Sequence, residues 1–210
     1  MASSELTDLA DIVASLDGMG RLTRVKSEVD PRLELAGIAA KLEGGPRAVL
    51  FERVKGFDTP VLTGLYWSRE LLADLMQVPE QELPGHVAGC IKSWQRAPIP
   101  PEVVDHGPIY DGQTVPVDLG KIPIPIHAQQ DGGPYFDAGV VISKDPDTGV
   151  RNASIQRFMV VDKQTLHVNI DAGRHLELHL DKARAKGETL TFSINCGVGP
   201  GLHFADATPA

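Results

Sequence analysis

Cysteine is almost missing from this chain: Cys90 and Cys196 are the only two among 210 residues. Neither has a partner at metal-ligand spacing, which excludes a cysteine metal site. The simplest reading is two buried free thiols in a reducing compartment. Basic charge is short as well, with 20 Lys+Arg against 28 Asp+Glu and a net charge of −8. No basic surplus exists to neutralise a phosphate backbone, so no nucleic-acid partner is expected, although a local pocket for a small anion stays open. No apolar run approaches the roughly 18 residues that a bilayer span needs, and no membrane partner is expected. The start, MASSELTDLADIV, lacks the basic and apolar regions of a secretory signal. A soluble protein of the cytoplasm is the expectation. No nucleophile elbow, GxGxxG or Gly-Lys-Ser phosphate loop occurs.

What is present is ordinary for a folded protein: 42% hydrophobic and 23% charged residues, enough for one large domain or two small ones. Leu6, Leu9, Val13 and Leu16 recur at helical spacing, with Ser3 or Ser4 as the cap and Gly18 or Gly20 as the stop. A second helix is announced by Asp30 and Pro31 at its start and Gly44 at its end. Strand-like runs follow at 48–54 and 61–67. Ser68 then caps a third helix, and a fourth covers about 85–96. Helices interspersed with short strands indicate an α/β layer structure.

Prolines 98, 100, 101, 108, 116, 123 and 125 break any helix in the next stretch. Ile99, Ile109, Val115, Val117, Ile122, Ile124 and Ile126 alternate with them, which predicts an ordered crossover pinned against a surface. Beyond it, strands are expected at 137–143, 153–161, 166–170 and 189–196. Asp145 to Gly149 reads as a type I turn joining two antiparallel strands. A helix is expected from about Arg174 to Lys186. The division is an α/β domain with its Pro-rich crossover over residues 1–115, then a second, mostly antiparallel (α+β) domain over 116–210.

The residues able to do chemistry gather at one strand–helix junction. Gly173 permits a tight helix entry, and Arg174 and His175 stand in the first turn, where free N–H groups and the dipole favour an anion. Arg174 adds a bidentate donor, and a neutral His175 can offer a lone pair to a metal. His179 stands at i+4 from His175, but the Leu-Glu-Leu between them is not the metalloprotease arrangement. On the preceding strand, alternation separates Asn152, Ser154, Gln156 and Phe158 from Ala153, Ile155, Arg157 and Met159. Asn152 and Arg157 serve one site only if a bulge shifts the register or Asn152 lies in the loop before the strand. An arginine in an apolar strand is costly to bury unpaired, so Arg157 should meet a carboxylate or an anionic ligand. The loop HAQQDGGPYFDAG, 127–139, reads as a metal loop or a turn. These residues define an anion or phosphate site, with a metal as an open alternative.

Three segments in order, LGKIPIPIHAQQDGGPYFDAGVVISKDPDTGVRNASIQRFMVVD, GRHLELHLDKARAKGETL and INCGVGP, resemble the UbiD-type decarboxylases that use prenylated flavin mononucleotide (prFMN). The resemblance covers the second half closely, and the first half fits the family's N-terminal domain. It implies that residues 116–210 form the first part of a split β-barrel that binds the flavin. Asn152 and His175 match two ligands of a divalent ion, usually manganese, held against the cofactor phosphate, with potassium as a further ion. Ser154, Ile155 and Gln156 match the strand lining the flavin, and Arg174 matches a cofactor contact beside His175. Arg157 matches the catalytic arginine that steers the substrate carboxylate and pairs with glutamates of the proton-transfer network.

The implied reaction is non-oxidative, reversible decarboxylation of an aromatic or α,β-unsaturated carboxylic acid, the flavin acting as electron sink and a glutamate giving the proton. The third ligand, a glutamate, and the later glutamates lie beyond ADATPA in the family's pattern, and Asp206 is the carboxylate that would have to substitute. A truncated chain or one part of a split enzyme is therefore expected, working as a homo-oligomer or with a complementary chain that also covers the exposed strand edges. Two other readings are a non-catalytic subunit that needs a partner and a flavin-binding redox module. The last leaves Asn152, Arg157 and His175 without a task.

Overall fold

The computed structural model describes residues 8–208 except 108, 110, 111 and 113–115. The first helix, α1 (Leu9–Gly18), begins where Asp8 accepts a hydrogen bond from the Asp11 amide at 2.9 Å. Ser3 and Ser4, the expected caps, lie outside the described residues. Ile12 and Leu16 of α1 are fully buried against Leu71 and Leu75 of α3 (Arg69–Met76), which Ser68 caps as expected.

Three strands follow the order β1 (Leu22–Val29), β2 (Ala48–Val54), β3 (Val61–Thr63), with β1 parallel and β3 antiparallel to the central β2. The apolar run of β2 makes it the centre, and Val49, Phe51 and Val54 pack against Leu35 of α2 (Glu34–Leu42). Helix α2 starts later than Asp30-Pro31 suggests. Asp30 instead accepts from the Arg32 amide at 2.8 Å, and Leu33 adopts φ 71°, which a helix cannot include. Helix α4 (Leu83–Arg96) closes the first half, with Leu83 its one buried residue.

The crossover corrects an expectation. Ile99, Val103, Val104, Ile109 and Val117 are exposed and Ile122 partly so, whereas Ile124 is buried; Val115 lies outside the described residues. Among the described residues the segment is pinned toward its end: the Leu119 amide donates to the Lys163 carbonyl, the Ile126 amide donates to the Pro31 carbonyl, and the Ile126 carbonyl accepts from the Leu33 amide. The segment includes a short 3-10 helix, Leu119–Lys121, that Asp118 caps, and apolar residues along an extended backbone do not by themselves supply a surface to pack on.

The second half is a four-stranded antiparallel sheet. Its strands are β4 (Tyr135–Lys144), β5 (Arg151–Val160), β6 (Leu166–Val168) and β7 (Phe192–Asn195), in the order β6-β5-β4-β7. The turn from Asp145 to Gly149 joins β4 to β5: Asp145 Oδ1 accepts from the Asp147 amide at 2.8 Å, and Gly149 takes φ +75°. Helix α5 (His175–Ala185) covers one sheet face, with Leu176 packed against Val141 and Phe158. The last helix, α6 (Pro200–Asp206), crosses back so that Phe204 joins Leu72, Ala73 and Leu83 of the first half.

Both cysteines are exposed, which corrects the buried-thiol reading. Cys90 lies on α4, which buries only Leu83, and Cys196 follows β7 just before Gly197, whose φ is +77°.

Helix α6 carries an unfavourable group. Both carboxylate oxygens of Asp206 are buried without a hydrogen-bond partner among the described residues, and burial pushes the carboxyl up to about 6 from 3.8. The nearby Tyr66 hydroxyl is pushed up by its own burial and by the Asp206 charge. A carboxyl raised this way keeps its proton in the folded chain while the unfolded chain loses it, so stability falls as pH rises from about 4 to 6 and is level above. Asp206→Ala should therefore gain on the order of 1 kcal/mol above pH 6, the low end for a buried unpaired group near solvent. Thermal unfolding should show a rise of about 2–4 °C at pH 7.5 that vanishes near pH 4.

Candidate cofactor and substrate site

Strand β5 orders the site residues. The one irregularity in its pairing with β4 falls on β4, where Phe136 and Gly139 oppose Phe158 and Gln156. Strand β5 therefore runs unbroken from Asn152 to Arg157, and strict alternation holds. Asn152 stands opposite Ser143 and Ser154 opposite Val141, on the face where Phe158 meets Leu176 of α5. Ile155 and Arg157 occupy the other face and are exposed. The bulge on β5, or loop position for Asn152, that would bring Asn152 and Arg157 to one face is not there; the extra residue is at 137–138 of β4 instead.

A second feature joins the two faces. On one side β5 pairs with β4 along its length, but on the other β6 pairs only with Phe158, Met159 and Val160. No strand among the described residues covers its outer edge from Arg151 to Arg157. Along that edge Asn152, Ser154 and Gln156 stand on the helix side and Ile155 and Arg157 on the other.

Arg157 lines an open cleft of about 610 Å³ with His127, Tyr135, Asp137, Met159 and His167. Among the described residues it makes no hydrogen bond or ion pair, so the salt bridge that burial would demand is absent because the guanidinium is exposed. His127 Nδ1 and Asp137 Oδ2 stand 3.2 Å apart on the rim. The loop before β4 reaches Met159 because it has no side chain there: a Cβ on Gly132 would come to 3.0 Å from the Met159 sulfur. That loop is a turn, with Asp131 Oδ2 accepting from the Ala128 amide at 2.8 Å.

Before α5, Gly173 takes φ +77° and its amide donates to the Glu177 carboxylate. Arg174 is the N-cap of α5, in extended conformation and with no side-chain cap, and His175 is the first helical residue. Both side chains are exposed, at a helix start that also carries the Glu177 carboxylate in its first turn. His179 does not join His175 as a second donor. It is buried, and its Nδ1 stands 2.9 Å from the Ser143 hydroxyl. Burial lowers its pKa, against a weaker upward pull from Asp145, so it is neutral. Among the described residues no three His, Cys, Asp or Glu side chains form a metal-sized group.

Sequence reasoning missed Ser143, Asp145 and Lys182, which tie α5 to the hairpin: Lys182 Nζ lies 2.6 Å from Asp145 Oδ2. That contact holds the Asp145 carboxyl well below the usual range, helped by the Asp147 and Thr148 amides. A polar residue in the apolar run GVVIS was the available signal. It also gave no role to His167.

Two family models match the chain, the N-terminal domain of 3-octaprenyl-4-hydroxybenzoate carboxy-lyase over residues 13–91 and its Rift-related domain over 102–210. An uncharacterised protein in the cooM 5′ region of Rhodospirillum rubrum is 63% identical over 98% of this chain and 44% of its own length. The anhydromevalonate phosphate decarboxylase of Methanothermobacter thermautotrophicus is 36% identical over 88% of this chain and 41% of its own. An evolved dimeric form of the UbiD-class enzyme HmfF from Pelotomaculum thermopropionicum, solved in complex with prFMN, superposes with a TM-score of 0.88 at 36% identity. That match covers 97% of this chain and 47% of that one. The chain thus spans less than half the length of the relatives it matches. It belongs to the UbiD family of carboxy-lyases and corresponds to the N-terminal portion of those proteins.

Proposed function

We propose that this chain forms the phosphate-binding, metal-binding and carboxylate-steering part of a prFMN-dependent decarboxylase acting on an aromatic or α,β-unsaturated carboxylic acid. The observation that carries this reading is the edge of β5 from Arg151 to Arg157, which no strand pairs among the described residues and at whose end the Arg157 guanidinium is exposed. Bound prFMN supplies the electron sink for loss of carbon dioxide. The chain's own residues fit the two ends of such a ligand. First-turn N–H groups of α5 and Arg174 take the phosphate. The Asn152 carboxamide oxygen and the His175 imidazole are donors suited to manganese, and they form a partial set that a further ligand must complete. Ser154, Ile155 and Gln156 line the edge. Arg157, whose side chain has no partner among the described residues, is available to bind and orient the substrate carboxylate.

A second reading, a subunit inactive without a complementary chain, is favoured by the β5 edge that no strand pairs among the described residues. Carbon dioxide release from the purified 210-residue chain with prFMN, Mn²⁺ and an aromatic acid excludes it. Release only after the complementary part is added supports it. No helix among the described residues is long and apolar enough to cross a membrane, and a cytoplasmic location is part of the proposal. So is a two-domain division at residues 115 and 116.

A further inference from the structure

The contacts that fix α5 to the sheet lie on one side of the helix. His179, Lys182 and Lys186 stand at intervals of three and four residues and all reach the end of β4 and its turn. His179 Nδ1 meets Ser143 Oγ at 2.9 Å, Lys182 Nζ meets Asp145 Oδ2 at 2.6 Å, and Lys186 Nζ meets the Pro146 carbonyl at 2.8 Å. Apolar contacts of Leu176 with Val141 and Phe158 hold the helix down, but such contacts are non-directional and set neither its rotation nor its shift along the sheet.

Of the three polar contacts only the Ser143–His179 pair is buried, at 1% and 6% exposure, where a hydrogen bond is strongest and most costly to misalign. The two lysine contacts are made by long, flexible side chains that are more than a third exposed, so they fix the helix less sharply. The Asp145 carboxylate stands 3.9 Å from His179 Nε2 and favours the proton on that nitrogen, leaving Nδ1 to accept from the Ser143 hydroxyl. Serine, histidine and aspartate in that order resemble a hydrolytic triad. With its hydroxyl sealed from solvent, Ser143 meets no substrate, and the arrangement is structural.

Ser143 is the cross-strand partner of Asn152, and His179 stands one helical turn after His175 on the same helix face. We propose that the Ser143–His179 hydrogen bond sets His175 relative to Asn152, making His179 a positioning residue for the pair that would hold the metal. The inference rests on the reading of Asn152 and His175 given under the proposed function. It assigns His179 a task different from ligation and explains why the residue at i+4 from a ligand is turned into the protein.

The test is a double-mutant cycle on FMN affinity measured by flavin fluorescence, with Mn²⁺ and with EDTA. It compares Ser143→Ala, His179→Leu and the double variant with His175→Ala. Leucine preserves the buried volume, and circular dichroism with thermal unfolding follows the fold. Each single variant should weaken the Mn²⁺-dependent component about tenfold, as loss of a contact supporting a ligand does, while affinity in EDTA stays unchanged. The double variant should be no weaker than the worse single. Unchanged Mn²⁺-dependent affinity in both singles, or equal losses with Mn²⁺ and EDTA, overturns the inference. If His175→Ala also leaves that component intact, the metal-site reading falls with it. If His175→Ala removes it while the other two keep it, only the positioning role falls.

Discussion

Arg157→Ala is expected to reduce carbon dioxide release by at least about 10²–10³-fold in an active preparation, the usual cost of removing a preorganised charge at a reacting group. The guanidinium has no ion pair or hydrogen bond among the described residues and opens onto a cleft of about 610 Å³. Its removal therefore breaks no internal network, and the fold should survive unchanged. Because Arg157 stands at the far end of the free β5 edge from Asn152, flavin affinity should change little. Arg157→Lys should restore only a small part of the rate, since a point charge does not reproduce a planar fork. Single-turnover measurements at saturating cofactor separate loss of chemistry from loss of binding. Turnover close to wild type in the alanine variant removes Arg157 from the mechanism.

His175→Ala is expected to weaken Mn²⁺-dependent FMN binding by about 100-fold or more, because loss of a ligand should cost at least as much as loss of its outer partners. Asn152→Ala should act in the same direction with a smaller effect, since an amide oxygen binds a divalent ion less firmly than an imidazole does. EDTA should bring the wild-type chain to the level of the His175 variant, and the two treatments together should add nothing. Titration followed by flavin fluorescence checks both. An alanine variant that still responds to Mn²⁺ as the wild type does removes His175 from the ligand set.

The pieces of this fold that are legible in the sequence have local causes. The β4–β5 hairpin follows from Asp145-Pro146-Asp147-Thr148-Gly149, and α3 from Ser68 at its cap. Strand β1 is not legible, because Arg24, Lys26 and Glu28 interrupt its apolar residues and only Val29 is buried. Its support is parallel pairing with β2, together with Arg24 held between Asp17 and Glu52 at 2.9 and 2.8 Å. The crossover is over-read for the complementary reason: alternating apolar residues describe a surface able to pack, and packing needs a second surface.

In the candidate site, the residue types at 152, 157, 174 and 175 are legible and their grouping is not. Alternation along β5 is correct, yet the irregularity that changes register belongs to β4, and a bulge in a partner strand leaves no mark on the strand itself. The short reach of β6, which leaves the β5 edge open beside Asn152 and Arg157, is a pairing fact that neither strand reveals alone. His179 shows the same limit. Its spacing from His175 suggests a second donor, and only the sheet shows that Ser143 already holds it.

One flavin phosphate and one divalent ion should be held together by this chain. Native mass spectrometry of the purified chain offered FMN and Mn²⁺ tests it most directly. The expected result is a species carrying one flavin and one manganese, both lost together in the Asn152→Ala, His175→Ala double variant. Flavin bound without metal, or a complex that survives that double substitution, would contradict it.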